Sequence, residues 1–458
     1  MGEATRERPE GLSAGIFRLV VGAGLVATLA ANLPGQMSLD SVITLFEART
    51  DVRQTWAPPV SSWLLKLFDG VVAGTGLYVT ASAALLYFSL MSLVRLRGRA
   101  TWGGVVLAAL ALATPQFLIY QGIVWRDVLF ANLSLAGFIM LGHAARHWRP
   151  GLSRILPLSG ALACLTLAAL VRQNGPILAL AAAGVLAWTA RSGGRKASLA
   201  WGLGSLAAAG VLSLAVNQLA QPPEISKTLR PEAAALILEH YDVVGAKAHH
   251  PKLKLDAIGA ADPAARDLLE SQSAAHYSAA RVDTLDADPV FRKTLWRVPA
   301  AVMQAQWRDV ILHDPAAYAL HRLDVFRWTL LTPELEKCLP VQVGVEGPAE
   351  MLAELDVQAG ADRQDQALAA YAKRFYGTPI YSHLAWALVA VGMIVLLWRR
   401  GDAADWAIIG LLGGALAFAA SFALISVACD YRYLYLLDVA AMTALIYVAL
   451  DPPSRRRA

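Results

Sequence analysis

Apolar residues in this chain gather in long blocks separated by short polar connections, the pattern of repeated membrane crossing. A crossing helix needs roughly 20 apolar residues, because it rises about 1.5 Å per residue through a hydrocarbon core of about 30 Å. Ten blocks answer to this: 16–36, 71–94, 102–121, 128–143, 155–171, 176–190, 198–217, 380–398, 406–428 and 434–450. The fourth to sixth are short, so one of them is expected to dip into the bilayer without crossing. Between the seventh and eighth lie 162 residues, too many for a plain loop. "DP" recurs there at 262–263, 288–289 and 314–315, each time an N-cap carboxylate before a first-turn proline. In the last of these helices Tyr318, Leu320, Leu323, Phe326 and Leu330 follow helical spacing, with Trp328 placed to rest at a membrane interface. The expected fold is all-α: a polytopic membrane protein with about ten transmembrane helices and an α-helical extracytoplasmic domain. The expected division is 1–217, with its first outer loop at 37–70; then 218–379; then 380–458.

Composition agrees and charge adds direction. Of 458 residues 56% are hydrophobic and 16% charged, with mean hydropathy +0.46, where soluble domains carry about 25% charged residues. Basic clusters mark every second connection: Arg6 and Arg8 before the first block with Arg18 at its start, then 95–99, 146–149, 191–196, 399–402 and 454–457. Short cytoplasmic loops collect Lys and Arg, so both termini are expected in the cytoplasm and 218–379 outside. Residues 218–380 hold 17 Lys and Arg against 22 Asp and Glu, a net of −5 in a chain of net +5. The basic pI therefore reports orientation, and nucleic acid is not an expected partner. The first block reads as an uncleaved anchor and not a signal peptide. Cys164, Cys338 and Cys429 suggest no disulfide framework or metal spacing. There is no internal repeat.

Polar groups near the membrane are informative because they are costly there. They collect at the outer ends: Asp40; Arg126 and Asp127 in "WRD"; Arg172 and Asn174 in "RQN"; and Tyr431 and Arg432 in "DYRY". Arginine suits phosphate through its planar fork, and a carboxylate suits activation of a hydroxyl. Plainer roles compete. Asp40 could cap a helix starting at Ser41, Arg126 and Asp127 could form a local ion pair, and Arg172 could snorkel to the interface. Glu47 and Asp51 read as solvated, His249 and His250 as exposed loop residues, and Trp56 as an interfacial tryptophan or a sugar platform. His321 or Arg322 could shape an acceptor groove. Asp438 shares a helix face with Tyr431 and Tyr435, and Arg172 or Arg432 is its expected partner.

The stretches "MSLDSVITLFEARTD...WAPP", "GIVWRDVLFANLSLAGF", "LVRQNGPI" and "DYRYLYLL" resemble the GT-C superfamily of polyprenyl-phosphate-sugar-dependent membrane glycosyltransferases of bacteria, over about residues 12–450. The resemblance implies Asp40 as the catalytic carboxylate and Arg126, Arg172 and Arg432 as contacts of the lipid phosphate. It implies transfer of a sugar from a polyprenyl-phosphate donor to an envelope glycan, lipid or protein acceptor at the outer face of the inner membrane. Two departures stand out: Leu39 where many members carry a second acid, and Ala57 where they carry a His before the proline. A divalent metal is neither required nor excluded. Two other readings are an O-antigen ligase or polymerase using a lipid-diphosphate-linked glycan, and a lipid-sugar transporter or flippase.

Overall fold

Backbone groups inside a bilayer must bond within their own segment, so this apolar chain folds almost entirely as helix. A computed structural model describes residues 11–227, 229 and 232–452; Arg6, Arg8 and the cluster at 454–457 lie outside the described residues. The first half comprises α1 (Leu12–Asn32), two short helices α2 (Leu39–Thr50) and α3 (Pro59–Asp69), then α4 (Gly76–Arg97), α5 (Trp102–Leu112) and α6 (Pro115–Leu118). It continues with α7 (Arg126–Arg146), α8 (Leu152–Val171), α9 (Pro176–Thr189) and α10 (Gly194–Ala220). The segment that follows holds α11 (Ala233–His249), α12 (Asp256–Ala261), α13 (Pro263–His276), α14 (Pro289–Arg297), α15 (Ala300–His313), α16 (Pro315–Leu331), α17 (Ala349–Glu354) and α18 (Arg363–Lys373). Three long helices close the chain: α19 (His383–Arg400), α20 (Asp405–Ile425) and α21 (Tyr435–Leu450).

Among the described residues eight helical stretches are long and apolar enough to cross a membrane, or nine if one bent pair counts as a span. The difference from ten has two local causes. The block at 102–121 is bent by 70° between Leu112 and Pro115, where Pro115 has no N–H to continue the ladder and Thr114 Oγ1 donates to Ala111 O at 2.7 Å. The blocks at 176–190 and 198–217 form one helical stretch, Pro176–Ala220, that folds back at Ala190–Gly193. Ser198 Oγ donates to Ala187 O at 2.8 Å across this hairpin. With 14 residues α9 is only about 21 Å long, whereas α7 and α8, at 21 and 20 residues, are of full length.

The bent segment is fixed by polar side chains. Asn32 Nδ2 donates to Leu118 O at 2.7 Å, Gln121 Nε2 to Tyr435 Oη at 2.7 Å, and Asn132 Nδ2 to Gln121 Oε1 at 2.7 Å. Gly122 packs so closely on Asn32 that an added Cβ would come within 2.1 Å of Asn32 Cβ. Asp438 is also satisfied, though by neither expected arginine. It is fully buried, accepts from Tyr431 Oη at 2.6 Å and lies 2.9 Å from His383 Nδ1.

Beyond α10, Tyr241, Phe291, Leu295 and Met303 centre a separate core built by α11–α16. All three "DP" caps form: Asp262 accepts from Ala265 N, Asp288 from Val290 and Phe291 N, and Asp314 from Ala317 N. The heart of this core is ionic. Asp242 accepts from Trp307 Nε1 at 2.7 Å, forms an ion pair with Arg322 and, at 3.0 Å, meets His321 Nε2. His321 and Arg322 are buried within this core. His250 is exposed just beyond α11, as expected, where it pairs with Asp314, whereas His249 is half-buried on α11 and packs its ring on Tyr277 at 5.4 Å. Trp328 packs on this core and beside a Cys338–Cys429 disulfide, which the cysteine spacing had not suggested because its partners are 91 residues apart. The bond ties the end of this segment to the residue before Asp430.

Candidate active site

Ser38 and Ser41 set the frame. Ser38 is the N-cap of α2, in a capping box whose Ser41 Oγ accepts from Ser38 N at 3.3 Å and donates to Val124 O at 2.8 Å. Asp40 is therefore not the cap, and its carboxylate is left to face the cavity. Gln36 holds the same register, its N–H donating to Gly122 O at 2.8 Å and its carbonyl accepting from Val124 N at 2.9 Å. Together these bonds bring Asp40 beside Trp125 and Arg126.

The wall opposite is the "EARTDVRQTWAPP" loop. Glu47, expected in water, is buried and ties it down: Oε1 accepts from Gln54 N and Thr55 N at 2.8 Å each and from Thr55 Oγ1 at 3.1 Å. Asp51 meets the solvated expectation more closely, as an exposed partner of Lys66 at 2.5 Å. Arg53 donates to Thr55 O and Ala57 O, and Val52–Arg53 (β1) pairs in parallel with Glu224–Ile225 (β2). Glu47→Ala is expected to loosen this loop by about 1–3 kcal/mol, since three donors lose their acceptor. Faster amide exchange at Gln54 and Thr55 would register it.

A cavity of about 140 Å³ is the result, lined by Asp40, Thr44, Trp56, Tyr78, Arg126 and Arg432 among others. Arg432 Nη2 lies 2.6 Å from Asp40 Oδ2 and 3.1 Å from Asp430 Oδ2, and its guanidinium stacks over Trp125 at 4.9 Å. Arg281, from between α13 and α14, completes the line by reaching Asp430 Oδ1 at 3.1 Å. Arg126 differs. Its guanidinium sits 6.0 Å from the Trp56 ring, and among the described residues it has neither a carboxylate partner nor a hydrogen bond. The expected Arg126–Asp127 pair does not form, because consecutive residues at a helix start point apart. Asp127 instead turns inward to Arg172 at 2.6 Å, with Arg172 packed on the rings of Phe418, Phe422 and Tyr433. Arg172 is thus paired and buried, and adds its charge from behind.

Of the sequence candidates, Asp40, Trp56, Arg126 and Arg432 line one cavity, and Asp127 and Arg172 support it. Asn174 lies elsewhere, donating to Ser421 Oγ at 2.8 Å, and Tyr431 points away towards Asp438. Arg281, Asp430, Trp125, Tyr78 and Thr44 join the site without having been singled out. Arg281 had no local signal, since its partner is 149 residues away. Among the described residues no three His, Cys, Asp or Glu are grouped to hold a metal ion.

Burial tends to raise the Asp40 carboxyl, but Arg432 beside it, with Arg126 and Arg172 further off, outweighs this and holds it below the ordinary aspartate range. A lowered value keeps the carboxylate charged to lower pH. Arg432→Gln removes the leading opposing charge, so the acid limb of any Asp40-dependent activity is expected to move to higher pH in that variant. A pH–rate profile of both proteins checks the sign.

No family model and no curated protein matches the chain. Three solved structures are similar to it. One is ArnT from Cupriavidus metallidurans bound to undecaprenyl phosphate, at 13% identity and TM-score 0.35, covering 94% of this chain and 77% of that one. The same ArnT in the apo state gives 14% identity and TM-score 0.33 over 96% and 78%. The third is the archaeal oligosaccharyltransferase AglB from Archaeoglobus fulgidus, in complex with an inhibitory peptide and a dolichol-phosphate, at 12% identity and TM-score 0.40. It covers 96% of this chain, which spans about half of AglB (51%).

Proposed function

We propose that the protein is a membrane glycosyltransferase that moves a sugar from a polyprenyl-phosphate donor to a hydroxyl of an envelope glycan, lipid or protein. The carrying observation is one unpaired guanidinium, Arg126, sharing a cavity with the carboxylate of Asp40. An anion placed at Arg126 also meets the positive end of α7, whose first residue it is. The acceptor hydroxyl, placed against Asp40, attacks the anomeric carbon in line; its oxygen bonds to that carbon as the bond to the phosphate oxygen breaks. Asp40 receives the proton, and Arg126 stabilises the negative charge that collects on the departing polyprenyl phosphate. Because Arg432 lowers its basicity, Asp40 orients the hydroxyl early and takes the proton late. Trp56 offers a face for the sugar ring.

Charge and sulfur support a localisation: the Arg and Lys clusters favour a cytoplasmic face, and the Cys338–Cys429 disulfide beside the site favours an oxidising one. We place the cavity on the extracytoplasmic side of a bacterial inner membrane, with both termini in the cytoplasm.

Detergent-purified protein given polyprenyl-monophosphate sugars and envelope acceptors tests the reading. Expected are free polyprenyl phosphate and one new glycoside, with Arg126→Ala slowing release about 10²–10³-fold. Consumption of a diphosphate-linked oligosaccharide alone would move the protein to the ligase class. Sugar movement seen only across sealed vesicles, without a product, would make it a transporter.

A further inference from the structure

At the end of the helix bundle opposite the Asp40 cavity, cations are distributed unevenly. Around α4, α19 and α21 three arginines have carboxylate partners, Arg97 with Asp402 at 3.0 Å, Arg400 with Asp405 at 2.5 Å and Arg99 with Asp451, while the exposed Arg95 and Arg399 have none among the described residues. Around α7–α10 none of the cations at this end has one. No Asp or Glu occurs between Asp127 and Glu224, a stretch that holds Arg146, Arg149, Arg154, Arg191, Arg195 and Lys196 at this end. Arg146 bonds backbone carbonyls at Arg95 and Leu96, and Arg191 rests on the Trp188 ring at 4.1 Å, but none of the six has a carboxylate partner among the described residues. Arg154 is the least satisfied. Its guanidinium stands 5.4 Å from each of the Trp148 and Trp201 rings, and its buried Nε has no hydrogen-bond partner.

Trp201 is also part of the wall of a second cavity, of about 390 Å³, between α7, α8, α9 and α10. Leu141, Leu158, Leu162, Leu165 and Leu186 line it, with small residues on α10. An added Cβ at Gly204 would meet nothing within 4 Å, so the hollow is open there. Along α8 it runs from Leu158 to Leu165, about 9–20 Å from the cationic end. An apolar hollow inside a bilayer with an unpaired guanidinium and two indoles at its mouth matches a molecule that is anionic at one end and hydrocarbon at the other.

We infer that this hollow binds one anionic glycerophospholipid, its phosphate on Arg154 and the neighbouring cations and an acyl chain between α8 and α10. Charge complementarity selects the head group, because a zwitterionic head brings its own cation against an acid-free surface. The phosphate lies in the leaflet opposite the Asp40 cavity, so the site is separate from the donor's.

Native mass spectrometry of the full chain in detergent, offered phosphatidylglycerol, phosphatidylcholine or undecaprenyl phosphate, tests this. Expected is one phosphatidylglycerol retained under activation that strips phosphatidylcholine. Arg154→Gln should lower its occupancy about tenfold, equivalent to ~1.4 kcal/mol. Gly204→Phe, which fills the hollow and replaces a poor helix former, should do the same with unchanged thermal stability. Equal retention of phosphatidylcholine, undiminished phosphatidylglycerol in both variants, or displacement of phosphatidylglycerol by undecaprenyl phosphate would each overturn the assignment. The last would give the hollow to a polyprenyl tail.

Discussion

Asp40→Asn is expected to lower the rate of glycosyl transfer about 10²–10⁴-fold, the range in which a positioned acid or base contributes to a transition state. Asparagine keeps the shape and the ability to accept a hydrogen bond but cannot take the proton. Stability should hardly move. Asp40 does not cap α2, about half of its side chain surface is accessible, and its ion pair with Arg432 is of a kind worth ~0–1 kcal/mol. Arg432 also keeps Asp430 as a second partner. Initial rates with saturating donor and acceptor, beside a thermal melt, separate the alternatives. An unchanged rate would end the catalytic assignment, and a lost melt with a proportionate loss of rate would make Asp40 structural.

Asp242→Ala is expected to destabilise the domain of α11–α16 by about 3–5 kcal/mol, the cost of stranding one member of a buried ion pair. Asp242, His321 and Arg322 are almost wholly inside, so the bare guanidinium would have neither water nor a carboxylate. Two Arg322 nitrogens, Nε and Nη2, already lack a hydrogen bond, although Nη2 has its ion pair with Asp242. Asp242→Asn should cost less, since the amide oxygen can still accept from Trp307. Chemical denaturation followed by tryptophan fluorescence measures both; equal, small effects would show the network to be dispensable. Acid adds a second signature. Burial lowers the His321 imidazole below its usual range despite Asp242, so the unfolded chain binds more protons than the folded one below about pH 6.5. Stability of this domain from His321 is present above that pH and is lost as pH falls through the depressed value.

Much of the architecture was legible because the solvent is hydrocarbon. Long apolar blocks there must be helices, and each "DP" in the segment 218–379 capped one as expected. The polar clusters at one end of the bundle were equally visible, since charge has few other places to go. Pairing was not visible. Asp127 bonds Arg172 and not its neighbour, Asp438 bonds His383 and Tyr431 and not an arginine, and Glu47 is a buried loop anchor in a stretch that reads as solvated.

From its sequence alone this chain is determined as an all-α membrane protein with polar side chains clustered at the ends of its apolar blocks, because apolar length and charge position are local properties. Which cation is left free is decided only by tertiary structure. Arg126, Arg172 and Arg432 look alike in sequence; packing gives Asp127 to one and Asp40 with Asp430 to another, and leaves Arg126 open to the cavity. Such contacts join residues from 2 positions apart, as Asp430 and Arg432, to 392 apart, as Asp40 and Arg432, and their energies depend on burial that no short stretch of sequence encodes.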